Sequence, residues 1–334
     1  WSRATSRVKI FARKKMKIKN ETEIQLMKIL FKMEPKKRLT KNVTSRKKAY
    51  PYGLERKFYS ELKSFFKPLI DYVNEKIFAD PESLLRGDSV EIKTDSIPGP
   101  QFRQMGREME NWLRVNMPNL SELPDMPHDN VIFMDLDSMA DEVFEFQSKE
   151  LTKSVKKGIN VTVPISSPWW NDMKKSWMET NYILITSNAR NFVSKINTLT
   201  EQAIVSGWGV NQLKKEIAKA TEGLSDKHCK LLARDQIGKL NGRINQNQMQ
   251  EIGLDLYIWD TSHDDRVRDS HALMQGLLCR WDDANLCSYD NGKTWVERPS
   301  GAVRLHPGED IQCRCSGLVY FPELIAEVDR TAAE

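Results

Sequence analysis

The chain has 334 residues, 29% of them charged and 40% hydrophobic, with 12 Phe, 8 Tyr and 9 Trp. That length accommodates two or three domains of roughly 100–200 residues each, and the aromatic content excludes wholesale disorder. No stretch approaches the roughly 18 consecutive apolar residues of a membrane helix, and the basic N-terminus lacks the apolar segment of a secretory leader. The chain starts at Trp1 rather than Met, which leaves open what precedes it.

The net charge of +5 conceals an asymmetry. Residues 1–50 carry 17 Lys and Arg against three acids (Glu21, Glu23 and Glu34), a net of +14, whereas the rest has 34 basic and 43 acidic residues, a net of −9. Residues 1–50 therefore read as a basic extended arm on a mildly acidic body. Such an arm suits a polyanion such as nucleic acid, or an acidic protein surface; the alternative is a solvated tail. Its densest clusters supply the candidate nucleic-acid contacts: Arg13, Lys14, Lys15, Lys17 and Lys19, then Arg46, Lys47 and Lys48. Glu21 to Met33 has the apolar spacing of a short helix.

Residues 51–204 read as a helical region. Leu54, Phe58, Leu62, Phe65, Leu69 and Tyr72 recur at steps of three and four, with Pro68 as an expected kink. Residues 80–100 read as a loop, and Met105, Met109 and Trp112 mark a second helix. Leu136, Met139, Val143 and Phe146 mark a third, running on towards Lys157. The clearest periodicity comes next: Met178, Tyr182, Ile185, Ala189, Phe192, Ile196, Leu199 and Ala203 form a heptad-like seam. It fits a core helix of a bundle or an intermolecular coiled coil.

Gly207-Trp208-Gly209 closes that helix. A short helix follows from Val210 to Thr221. Ser225 caps the next, which carries Leu232, Gln236, Leu240 and Ile244 on one side and stops at Gly253. Leu254 to Trp259 alternates as a strand, and the Gly-, Asp-, Cys- and Trp-rich remainder suits short strands and loops. The expected fold class is thus a mainly α-helical N-terminal and middle region with a small α+β C-terminal domain, at residues 205–325.

Five Cys is an odd number, and four lie between Cys279 and Cys315, which points to a reducing compartment and a metal site rather than a disulfide framework. His271, Cys279, Cys287, His306, Cys313 and Cys315 lie within 45 residues. Zinc takes four such ligands in a closed structural site. Cys-x-Cys puts two sulfurs on one side of an extended segment, so the favoured set is His271, Cys313 and Cys315, with His306 or Cys279 as the fourth. The competing reading is a metal-free network of His271, Arg268 and Asp265 beside free buried cysteines. His263-Asp264-Asp265 lacks the further Lys or Glu that would complete a metal-ion nuclease. Neither a Walker A motif nor Gly-x-Ser-x-Gly occurs, so the chain does not read as an enzyme.

Several pieces recur in order here: Ala233-Arg234-Asp235-Gln236, Gly253, Trp259-x-Thr261, Asp265-x-Val267-Arg268-x-x-His271, Gly276, His306-Pro307 and Cys313-Arg314-Cys315. In this order the segment, about residues 205–320, resembles the phage Mu F-like minor head proteins, also called phage head morphogenesis proteins. Asp235-Gln236 departs from the more usual Thr-Glu, and the stretch from Cys279 to Gly301 is expanded. The resemblance implies a minor capsid protein of a tailed bacteriophage, acting in head assembly in the host cytoplasm and then residing in the virion. Its implied partners are the portal protein, the major capsid protein and packaged double-stranded DNA, with no membrane. It makes Trp259, Asp265, Arg268 and Gly276 the residues of a structural motif and transfers no catalytic activity. Other readings are a non-capsid DNA-binding protein working through its arm, or a metal-dependent nuclease or toxin.

Overall fold

The computed structural model describes residues 50–73, 107, 111, 135–159, 165–208 and 210–321. The basic arm with its eight candidate contacts, and the helix expected around Met105 to Trp112, lie outside them apart from the isolated positions 107 and 111. In chain order the elements are helix α1 (Tyr52–Val73), α2 (Leu136–Ile159), α3 (Trp170–Ser206), α4 (Val210–Ala220), a 3₁₀ turn (Thr221–Leu224) and α5 (Asp226–Glu251). Then come β1 (Leu256–Asp260), the single turn α6 (Asp269–Ala272), β2 (Leu278–Arg280), β3 (Asp283–Ser288), β4 (Val296–Glu297) and β5 (Ser316–Val319). A helical region thus precedes a small antiparallel sheet, the α+β arrangement expected. No helix among the described residues is long and apolar enough to cross a membrane.

The chain forms two compact units, each assembled from separated stretches. Among the described residues, one comprises 50–52, 140–159, 165–173 and 235–321; the other comprises 53–73, 107, 111, 135–139, 174–208 and 210–234. The second unit is helical throughout its described part. The apolar stripe of α1 is buried at Phe58, Leu62, Phe65, Phe66 and Leu69, and Pro68 lies within that helix. In α3 every seam residue from Tyr182 to Ala203 is buried, and Met178 is half-buried. The seam is therefore covered within one chain, as a bundle core helix requires. The rings of Phe58 and Trp177 lie 5.9 Å apart. Ser225 accepts the N–H of His228 at 3.2 Å, the N-cap expected for α5. Asp226 follows it, receiving Lys63, Lys230 and the Tyr59 hydroxyl, and its carboxyl is held well below the ordinary range chiefly by the Lys230 hydrogen bond.

The other unit holds the sheet, in the order β4-β3-β2-β1-β5 with every pair antiparallel. Alternation along β1 sends Tyr257 and Trp259 into the core, fully buried. They join Met274, Trp281, Val319 and Phe321, and α2 adds Leu151 and Val155 to the same core. Tyr257 stacks on Trp281 with ring centroids 3.9 Å apart.

Helix α5 buries Ile237, Leu240, Ile244 and Met249 in this unit, and beside them it is fixed through amides and glycines. Asn245 donates to the carbonyl of Gly317 at 3.0 Å and accepts from Gln147 of α2 at 2.8 Å. Gln248 donates to Ser148 at 2.6 Å. Buried amides are stable only when hydrogen-bonded, so these bonds fix the pairing of α2 with α5. At Gly238 and Gly242 the segment 307–313 lies directly on the helix backbone. A Cβ on Gly242 would meet the Pro307 carbonyl oxygen at 2.6 Å and the Cα of Gly308 at 2.9 Å. Gly242→Ala is therefore expected to force main chain away from main chain, at about 1–3 kcal/mol by the usual cost of overpacking. Chemical denaturation checks this; unchanged stability would mean that the crossing yields without strain.

Candidate metal centre

Strand β1 delivers the chain to a polar turn at residues 261–268. Asp264 organises this turn: its Oδ1 accepts the N–H of Arg266 at 3.1 Å and a guanidinium hydrogen bond from Arg314 Nη2 at 2.8 Å. The second guanidinium nitrogen, Nη1, donates to Oδ2. The buried Arg314 holds the Asp264 carboxyl down at about 2. Asp265, next to it, is exposed and has no place in that pairing. The single turn α6 then presents His271 inward, where its ring meets Trp259 edge-on at 5.9 Å.

The other side is the loop 306–315. Asp235 of α5 accepts the N–H of Gln312 at 2.8 Å, where the backbone has a φ of +54°. Glu309 accepts the N–H of His306 at 2.6 Å, and the N–H of Cys313 bonds the Asp310 carbonyl at 3.0 Å. In the Cys-x-Cys segment the period of two is realised as expected. Cys313 and Cys315 both face His271, and Arg314 between them turns to Asp264.

Three side chains separated by as many as 44 residues thereby converge. His271 Nδ1 lies 3.4 Å from Cys315 Sγ and 3.6 Å from Cys313 Sγ. The three ligand atoms all fall within 4.8 Å of one another, and the residues are 3%, 6% and 7% exposed. The far nitrogen, Nε2, lies 2.9 Å from Asp310 Oδ2, and Arg268 donates to the same carboxylate oxygen and to the Ile311 carbonyl. Asp310 thus holds the position that the metal-free network assigned to Asp265.

Electrostatics separate the two sulfurs. Cys313 Sγ accepts the backbone N–H groups of Gly308 and Cys315, each at 3.4 Å. Hydrogen bonding from Cys315, with a further contribution from His271, outweighs burial and brings the Cys313 thiol down to about 5. Cys315 is pushed far up, first by its hydrogen bond to Cys313 and then by burial. Burial works against charge on His271, but the bonds to Cys313 and Asp310 prevail and raise its pKa.

The other sequence candidates lie elsewhere. His306 is buried with its Nδ1 3.0 Å from the Tyr257 hydroxyl, and burial lowers its pKa. Cys279 pairs across β2 and β3 with Cys287, and burial raises its thiol to about 11. Neither joins the three-residue cluster. Gly276, at a φ of +75°, donates its N–H to the Trp259 carbonyl at 2.8 Å and so turns the chain back after α6. Two structural residues carried no sequence signal. Asp310 is one more acid in a polar loop. Arg298 is buried and donates to the Val303 and Leu305 carbonyls and to Tyr257 Oη at 2.7, 2.8 and 3.1 Å.

Residues 194–318 match the family model described as phage Mu protein F like protein. This stretch includes the whole cluster and all but the last residue of the sheet. A relative from Haemophilus influenzae (strain ATCC 51907 / DSM 11121 / KW20 / Rd), bearing only the name "Uncharacterized protein", is 32% identical over 138 residues. The alignment covers 40% of this chain and 26% of the relative, so the chain spans about a quarter of that relative's length. No solved structure matches. Over residues 194–318, about a third of its length, the chain is similar to the phage Mu F-like proteins.

Proposed function

We propose that this protein is a minor head component of a tailed bacteriophage, with a structural part in head assembly. The observation that carries the reading is the family match over residues 194–318, because it spans the buried His-Cys-Cys cluster and the core around it. The helical region binds portal or inner capsid subunits, and the arm, at +14 over residues 1–50, engages packaged DNA or an acidic head protein. The place of residence is the head interior or the portal vertex.

The test is made on particles. Heads and mature virions of a phage encoding the chain are purified by density gradient, and the chain is sought by mass spectrometry. It is expected to co-sediment with heads at low copy, and deletion of its gene is expected to yield fewer or misassembled heads. Absence from every head fraction, with normal head yield after deletion, overturns the reading. Divalent-metal-dependent cleavage of DNA by the purified chain would favour a nuclease instead.

A further inference from the structure

We infer that His271 Nδ1, Cys313 Sγ and Cys315 Sγ are the three protein ligands of a zinc ion, with Asp310 and Arg268 positioning the histidine. The inference rests on geometry and is independent of the head-protein reading.

A tetrahedral zinc with Zn–S of about 2.3 Å and Zn–N of about 2.0–2.1 Å sets its sulfur and nitrogen ligands about 3.5 Å apart. The two separations here are 3.4 and 3.6 Å. The same geometry puts two sulfurs about 3.8 Å apart, within the 4.8 Å limit that the three atoms satisfy.

The surroundings fit as well. A metal-binding histidine usually gives its second ring N–H to a carboxylate, which fixes the tautomer and the ring plane. Asp310 stands 2.9 Å from Nε2 in that role, and Arg268 holds it there. This leaves Nδ1 with one lone pair, aimed between two sulfurs. A metal ion at this point engages the nitrogen and both sulfurs at once. Cys313 also receives two backbone N–H groups, the environment of an anionic sulfur.

The site has a structural consequence. It joins α6 to the segment after residue 312, in a part of the chain whose elements are short. Metal binding to a folded site adds directly to folding free energy.

The experiment uses the full chain, purified without a polyhistidine tag or chelator. Elemental analysis is expected to find about one equivalent of zinc. After exchange for cobalt, the thiolate-to-cobalt charge-transfer band is expected to have the intensity of two thiolates. Asp310→Asn keeps all three ligands and is expected to weaken zinc binding by roughly 10–100-fold in a chelator competition. Cys313→Ser and Cys315→Ser are each expected to lose stoichiometric zinc. The parent chain decides the matter without any variant: no zinc and no cobalt uptake overturns the site, and a band with the intensity of three thiolates overturns the ligand set. Full zinc affinity in Asp310→Asn removes the positioning role.

Discussion

A fragment comprising residues 194–318 alone is expected to show no cooperative thermal transition, although it holds the whole family match and the whole His-Cys-Cys cluster. The reason lies in α2. Leu151 and Val155, 1% and 0% exposed, belong to the same core as Tyr257, Trp259 and Trp281. Each buried aliphatic side chain stabilises by about 1.5–3 kcal/mol. Loss of α2 also leaves Asn245 and Gln248 without Gln147 and Ser148, at about 1–3 kcal/mol for each buried polar group left unmatched. These losses together rival the roughly 5–15 kcal/mol that holds a whole domain. Calorimetry of the fragment beside the full chain checks this. A sharp transition at the temperature of the full chain would show that α2 is dispensable to the core.

The second large effect is expected at the seam of α3. Ile196 is 0% exposed, whereas Ile183 on the same helix is 48% exposed. Ile196→Asp places an unpaired carboxylate among apolar neighbours, at a cost of several kcal/mol, or forces it to be protonated. Ile183→Asp changes a wetted position and is expected to stay within about 0.5 kcal/mol of the parent. The pair controls for helix propensity, since both exchanges are Ile to Asp on one helix. Urea denaturation midpoints measure the difference. Equal midpoints would mean that the seam around Ile196 opens to water at no cost.

The seam and β1 were legible because each is a local periodicity. A helix that buries one side must repeat apolar residues at three and four, and a strand must alternate. Convergence of His271 with Cys313 and Cys315 was legible for a similar reason, since Cys-x-Cys sends both sulfurs one way. The rest depends on partners far along the chain. Nothing local distinguishes Asp264 from Asp265; the turn aims the first at Arg314, 50 residues away, and leaves the second in water. Asp310 gains its role only because the loop brings it to His271 Nε2, 39 residues distant. Helix α5 reads as polar, and its buried Asn245 and Gln248 are explained by α2, about 100 residues upstream. The interleaving of the two units is hidden for the same reason. Stretches such as 140–173 and 235–321 contain no signal that they share a core.

The crossing of Gly242 with the segment after Pro307 has a consequence for how this part of the molecule opens. Proteins come apart locally in cooperative pieces, and a loop without regular hydrogen bonding usually opens first and alone. Here no side chain lies between loop and helix to act as a bearing. The N–H of Gln312 is tied to Asp235 on the same helix, and those of Gly308 and Cys315 are turned inward onto a sulfur. Lifting the loop off α5 has to break the Gln312–Asp235 bond and part the main-chain contact at Gly242. Although irregular in conformation, the loop is expected to open together with α5, and the amide hydrogens of Gly308, Gln312 and Cys315 to exchange slowly beside those of the helix.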